Sequence, residues 1–403
     1  MRSERDDRGV RGEGSGRPER VEAESFQTGR VAAIAGGHAV HDTFTAFLPP
    51  LLPRFVDAFA LSNTAAGWLS AFVQIPSLLQ PVIGHLADRT TLRWIVVLGP
   101  GVTATLMSFL GWAPGYTGLA LLLLVAGVSV AAFHATAPVA IGYLSGDKLG
   151  RGMGFWMVGG ELGRTLGPLV VVSVLAFLSL KSLAWLSLAG VATSIALHFL
   201  LRNAGLRSRG DHEEVPWRSA VRAMSGFMVA MGGLIAVRSL SVMAMTVFLP
   251  LYLTDAGASV WVAGAALSIV EAAGVAGAFT GGWLSDHLGR RSVLLFGHIV
   301  TPAAFAAFLV TDGWAQVALL PVIGFSLLAI PPVLMAMVQE RHPESRALAN
   351  GVYLSLNFII RSIAAIGYGV LADAVGLSTA IVIAGVAMLL GLPLIAGLFR
   401  ASK

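Results

Sequence analysis

Apolar residues come in long runs parted by short polar breaks. The runs fall at about 31–53, 63–86, 93–112, 116–143, 152–176, 182–201, 220–253, 258–285, 291–311, 314–338, 346–371 and 377–399. A helix rises ~1.5 Å per residue, so roughly 20 residues cross the hydrocarbon of a bilayer. The pattern therefore predicts twelve transmembrane helices, most long enough to tilt. Two stretches depart from it. Residues 1–30 hold seven arginines, seven acids and several Gly and Ser, with no apolar run. A solvated, disordered tail is expected there, and a signal peptide is not. The stretch RNAGLRSRGDHEEVPWR, residues 202–218, is the longest polar break and lies midway. The predicted organisation is a tail at 1–30, a six-helix bundle at 31–201, a cytoplasmic linker at 202–219 and a second bundle at 220–400.

Composition strengthens this picture. Of the 403 residues, 56% are hydrophobic and 12% charged, where a soluble chain carries about 25% charged residues. Absence of cysteine excludes disulfides, thiolate metal sites and thiol catalysis. With both termini cytoplasmic, 22 of the 27 Lys and Arg fall on the inner side and only Arg54 and Lys181 on the outer side. The positive-inside rule thus predicts a multi-pass protein of the cytoplasmic (inner) membrane. The mixed signs of the tail argue against nucleic-acid binding.

The halves resemble each other. Phe47-Leu48-Pro49 recurs as Phe248-Leu249-Pro250, Leu69-Ser70 as Leu267-Ser268, and Gly154 and Arg164 as Gly351 and Arg361. GHLADRTTLR (84–93) follows the second run and GWLSDHLGRR (282–291) the eighth. The second copy resembles the loop signature of the major facilitator superfamily. That resemblance covers the chain after residue 30. It implies an all-α membrane protein of twelve transmembrane helices in two pseudo-two-fold-related six-helix bundles, with a site near mid-membrane between them. It also marks Gly84, Asp88, Arg89 and Arg93, with Gly282, Asp286, Arg290 and Arg291, as a gating motif. The glycine allows close helix approach and the aspartate accepts hydrogen bonds from arginines or a helix N-terminus. Thr91 and Leu92 stand where the signature has Gly-Arg, which weakens the first copy. GELGRTLGPLVV (160–171) resembles the G-x-x-x-G-P element of antiporters in this superfamily.

The candidate chemistry lies in ionisable residues inside the spans. Each costs about 2.5–3.5 kcal/mol at a helix centre, so each should face water or a partner. Asp42, His134, Arg164, Arg238, Glu271 and Arg361 fall roughly 17–25 Å into spans one, four, five, seven, eight and eleven by helical rise. In the superfamily these spans border the central cavity. Apart from Arg93 and Arg291 at their first positions, the peripheral spans hold no acid or arginine, only His198 and His298. In span one, His38, His41, Asp42 and Thr45 share a face; so do Glu161, Arg164 and Pro168 in span five, and Tyr353, Asn357 and Arg361 in span eleven. HAVHDTFTAFLPPLLP (38–53) resembles the first helix of fosmidomycin resistance proteins, which implies efflux of a small phosphonate by proton antiport.

Guanidinium groups bind carboxylate, phosphate and phosphonate bidentately. Arg164, Arg238 and Arg361 are therefore the candidate anion clamp, with His134, Tyr353 and Asn357 in support. The bland alternative makes each arginine an ion-pair partner: Glu161–Arg164, Asp42–Arg238 and Glu271–Arg361. For proton coupling, Asp42 with His38 or His41 comes first, then Glu271 and Glu161. His38 and His41 have a helical metal spacing but no third ligand nearby in sequence, so no metal and no cofactor is expected. The expected partners are a small anion, protons and the lipid bilayer, with the chain a monomer as is usual for the fold. Competing functions are a proton-linked importer of an organic anion, which needs the same arginines, and an exporter of lipophilic or cationic drugs, which the arginines disfavour. A membrane-embedded enzyme lacks any catalytic constellation or nucleotide-binding loop.

Overall fold

The computed structural model describes residues 26–80, 83, 92–204, 217–342 and 346–400. Gly84, Asp88 and Arg89, most of the linker and the tail to residue 25 lie outside the described residues. Ten described helices are long and apolar enough to cross a membrane, from Arg93–Trp112 to Leu377–Arg400. The first two crossings complete the predicted twelve and are less regular. The first is built from Thr28–Thr45 and Leu48–Phe59. The second starts with Asn63–Gln74 and tightens into a 3-10 turn at Ile75–Leu79. The chain end at residue 400 and the start of span one lie on one side, called here the terminal side; the opposite one is the far side.

The repeated Phe-Leu-Pro triplet marks a break in span one and in span seven. Helix Thr28–Thr45 stops, and Leu48–Phe59 restarts with prolines in its first turn. Helix Trp217–Thr246 stops likewise, and Leu249–Asp255 restarts with Pro250 in the same place. Proline is tolerated there because first-turn N–H groups have no helical partner. The two restarted segments touch across the halves. The helices that follow are capped alike: Ser62 accepts from the Ala65 N–H at 3.1 Å and Ser259 from the Val262 N–H at 3.3 Å.

Within the first half, span five lies directly on span one. A Cβ at Gly159, Gly163 or Gly167 would meet the carbonyl oxygens of Ala35, Ala39 and Thr43 at 2.3, 2.4 and 2.4 Å. Glycine every fourth residue therefore lets two backbones touch. The second half uses the same device, with Gly277 and Gly281 of span eight facing the carbonyls of Phe325 and Ala329 in span ten. The halves meet through spans two and eleven and spans five and eight. At the first contact a Cβ on Gly67 would lie 2.4 Å from the Ala365 carbonyl and one on Gly369 2.4 Å from that of Asn63.

Phe177, Trp185, Val310 and Trp314 are the most exposed large apolar side chains near far-side helix ends. Exposed aromatics at that level are what an interfacial belt looks like.

The glycine contact generates a stability prediction. Gly163→Val should lower the thermal midpoint of the purified protein sharply, by an overpacking cost of about 1–3 kcal/mol or more. Gly154→Ala, where the added methyl meets nothing within 4 Å, should leave the midpoint unchanged or raised. Equal midpoints for both variants would show that the close approach of spans one and five is not needed.

Candidate functional site

Span one presents its polar face to spans four and five because the glycine contact sets its distance. Asp42 is 4% exposed and sits at the centre. Its Oδ1 is 2.9 Å from Nδ1 of His41 and 3.6 Å from Nε2 of His134. Its Oδ2 is 3.3 Å from Nε2 of His38 and 3.9 Å from Nη1 of Arg164. His38 turns its Nδ1 to the Trp156 carbonyl at 2.9 Å, and its ring stacks on the Trp156 indole. His134 turns its Nδ1 to the Val130 carbonyl at 3.1 Å. A carbonyl only accepts, so both Nδ1 atoms carry hydrogen. His41 is fully buried against the Phe133 ring.

Arg164 gathers the acids. It pairs with Glu161 one turn earlier, with Asp42, and with Glu271 of span eight, whose Oε2 lies 3.7 Å from its Nε. This last pair joins the two halves at mid-depth. Of the three pairings that would make every arginine structural, only Glu161–Arg164 is formed. Arg238 instead donates from Nε to the Leu327 carbonyl at 3.2 Å. Arg361 has no ion pair among the described residues, and its buried Nε has no partner. Arg164 and Arg361 lie within electrostatic reach of each other, as repeat mates across a pseudo-two-fold should. Tyr353, 3% exposed, lies beside Arg238 and Asn357. The candidate residues thus come together in two groups. One is Asp42, His38, His41, His134, Glu161, Glu271 and Arg164; the other is Arg238, Arg361, Tyr353 and Asn357. His134, expected in the anion group, belongs to the first.

The loop motif takes a more local role than expected. Arg290 pairs with Asp286 at 2.5 Å and Glu340 at 2.7 Å and donates to Ser285. These groups belong to spans eight, nine and ten, so this network braces one half. Gly282 faces only Pro332, at 3.7 Å. Arg291 is exposed. Arg93 donates to the His198 carbonyl at 3.2 Å and holds spans three and six together.

A second link between the halves lies at the far side and was not anticipated. Asp373, near the end of span eleven, accepts from the backbone N–H groups of Asn63 at 2.7 Å and Thr64 at 2.8 Å, and from the Thr64 hydroxyl. A carboxylate from one half thereby caps the helix N-terminus of the other. Among the described residues, every hydrogen bond or ion pair that joins the halves is this clasp or the Arg164–Glu271 pair.

The family profile described as Major Facilitator Superfamily matches residues 34–365 and 234–403. The fosmidomycin resistance protein of Escherichia coli (strain K12) is 25% identical over 86% of each chain. The MFS-type transporter YfnC of Bacillus subtilis (strain 168) is 24% identical over 85% of this chain and 86% of its own. Among solved structures, a bacterial homologue of the human lysosomal transporter Spinster, inward-facing and unoccupied, superposes with TM-score 0.74 at 14% identity, covering 92% of this chain and 95% of its own. The nucleoside transporter NupG gives 0.73 at 14% identity, covering 91% and 98%.

The clasp makes a conformational prediction. Spin labels at Asp57→Cys and Ser378→Cys, in a chain without native cysteine, report the far-side separation by pulsed electron resonance. Asp373→Ala should increase the population of longer distances roughly 5- to 30-fold, the effect of losing about 1–2 kcal/mol of charge-assisted hydrogen bonding. An unchanged distance distribution would show that Asp373 does not hold the halves.

Proposed function

The chain belongs to the Major Facilitator Superfamily, and from that premise we propose that it exports a small organic anion coupled to protons. Membership and the transporter relatives make it a secondary transporter and not an enzyme. The observation that carries the anion is the division of charge at mid-depth. All three intramembrane carboxylates of the site gather on Arg164, and Arg238 and Arg361 are left without one. Two desolvated guanidinium groups with a tyrosine and an asparagine beside them suit a carboxylate, phosphate or phosphonate head group. The fosmidomycin resistance protein is 25% identical; its name supports export, and a phosphonate drug such as fosmidomycin or a similar anion as cargo. The membrane is the cytoplasmic one, with both termini inside, in keeping with the inner-side excess of Lys and Arg.

For the proton we favour Glu271. Its ion pair with Arg164 spans the two halves, so protonating it removes a link whose strength depends on conformation. That dependence is what coupling requires. The rival function, proton-linked import, has one observation in its favour. Three acids and three arginines balance, so a bound anion leaves an uncompensated negative charge that a proton would neutralise in a low-dielectric chamber. Import by symport then needs acid to tighten anion binding. Export by antiport needs acid to weaken it.

Three measurements test the assignment. Arg361→Gln should weaken binding of an anionic ligand such as fosmidomycin roughly 10- to 100-fold, the loss of about 1.5–3 kcal/mol from a hydrogen bond to a charged group. A neutral ester of the same ligand should lose far less; equal losses would make Arg361 structural. Glu271→Gln should flatten the pH dependence of transport in proteoliposomes, and an unaltered profile would move the proton elsewhere. Anion affinity measured at falling pH decides direction: weaker binding supports export, tighter binding supports import.

A further inference from the structure

Two imidazoles and a carboxylate converge in the first group. The Nδ1 atoms of His38 and His134 are committed as donors to the carbonyls of Trp156 and Val130. In the neutral rings both Nε2 atoms are then lone-pair acceptors, and they face each other at 3.3 Å. The third corner is the Asp42 carboxylate, 3.3 Å from one Nε2 and 3.6 Å from the other. Three acceptors at this distance repel unless a proton or a metal cation lies between them. We propose that His38, Asp42 and His134 form a binding site for a divalent transition cation of the zinc and cobalt class.

The spacing is the first argument. Zinc binds imidazole nitrogen at about 2.0–2.1 Å and carboxylate oxygen at about 2.0–2.2 Å. The edges of a tetrahedron on such bonds are about 3.3–3.5 Å; the two Nε2 atoms lie 3.3 Å apart, Oδ2 of Asp42 is 3.3 Å from that of His38 and Oδ1 is 3.6 Å from that of His134, and one ligand atom from each residue falls within 4.8 Å of the others. Orientation is the second. Metal-ligating histidines nearly always donate their other ring N–H to a carbonyl or carboxylate, which fixes the tautomer and aims the lone pair. Here two backbone carbonyls do this from helices four and five. His41, donating from Nδ1 to Oδ1 of Asp42 at 2.9 Å, orients the carboxylate. Donor type is the third: two nitrogens and one oxygen select zinc, cobalt, nickel or copper over magnesium and calcium, which need oxygen shells.

Charge and access fit as well. Asp42, Glu161 and Glu271 together exceed the one guanidinium that pairs with them by two negative charges. Side-chain exposure is 26% for His134 and 5% for His38 and Asp42, so a cation enters past His134 and the fourth coordination position lies on that side. The cation competes with Arg164 for Asp42 and leaves that arginine to Glu161 and Glu271. Sequence spacing pointed at His38 with His41; the fold substitutes His134, 96 residues away, and turns His41 into a supporting donor.

The test titrates tag-free protein in detergent with cobalt(II) alone, followed by visible absorption, and with zinc by calorimetry. The expected result is one equivalent bound with the intense bands of four-coordinate cobalt, unaffected by millimolar magnesium. His134→Gln, on the most open of the three side chains, should weaken binding ~100-fold or more, since even supporting partners are worth 10–100-fold. His198→Gln, in a peripheral span, should change nothing. Binding that survives His134→Gln, or no binding above that variant at micromolar cobalt, overturns the proposal. Should His134→Gln fail to fold, X-ray absorption at the zinc edge of the unmodified protein decides: two imidazoles in the shell support the site, and fewer than two refute it.

Discussion

Close contact between the backbones of spans one and five is the constraint on which the site rests. Each of Gly159, Gly163 and Gly167 sits where a methyl group would strike a carbonyl of span one. With the axes this near, Gly160 lies against the His38 ring and Asp42. Glu161 and Arg164, on the adjoining face, reach into the same space. In lipid no hydrophobic force draws such helices together, so small residues and polar contacts must do it. The glycines and the charged residues are therefore one device: the first brings the second into range, and the second stabilises what the first permits.

That device explains why the charges segregate. A single guanidinium satisfies three carboxylates because two of them lie on the touching helices and the third, Glu271, comes from span eight, which packs on span five. Arg238 and Arg361 are on spans seven and eleven, and among the described residues neither comes within ion-pair distance of these acids, although Arg361 lies in the electrostatic field of Glu271. Each keeps a charge in the bilayer at a cost of about 2.5–3.5 kcal/mol on insertion scales. One hydrogen bond from Arg238 to the Leu327 carbonyl does not offset that. A residue kept against such a cost, where water or a ligand must finish its shell, is the physical signature of a binding group.

Most of the architecture was legible in the chain because membrane crossing is written in one dimension, as run length and flanking charge. The Phe-Leu-Pro repeat was legible too, and it marks a helix break in each half. The partners of the site were not. Asp42 was matched with Arg238, and Glu271 with Arg361, by charge and depth alone; depth is one coordinate, and the azimuth of each helix decides the pair. His134 could not be joined to His38 because a contact between spans four and one leaves no periodic trace. The link from Asp373 to Asn63 and Thr64 joins loop-proximal residues whose composition is ordinary. Glycines at 159, 163 and 167 form a three-rung ladder, of which the G-x-x-x-G-P element contains only the last two.

The two links between the halves stand at different depths, and this orders the transport cycle. At the far side the Asp373 carboxylate accepts three hydrogen bonds, where water competes and the three together contribute about 1–2 kcal/mol. Deeper lies the Arg164–Glu271 pair, over which water has less influence. Among the described residues, the bonds that join the halves stand at the far side and at mid-depth. Opening the far side must break the clasp, and whatever loosens Glu271 lowers the remaining resistance. In the proposed function, a proton on Glu271 and an anion at Arg361 would act on the same contact between the halves from different residues. Gly67 and Gly369 let the backbones of spans two and eleven meet directly beside the clasp, so the far-side contact joins close packing to hydrogen bonding.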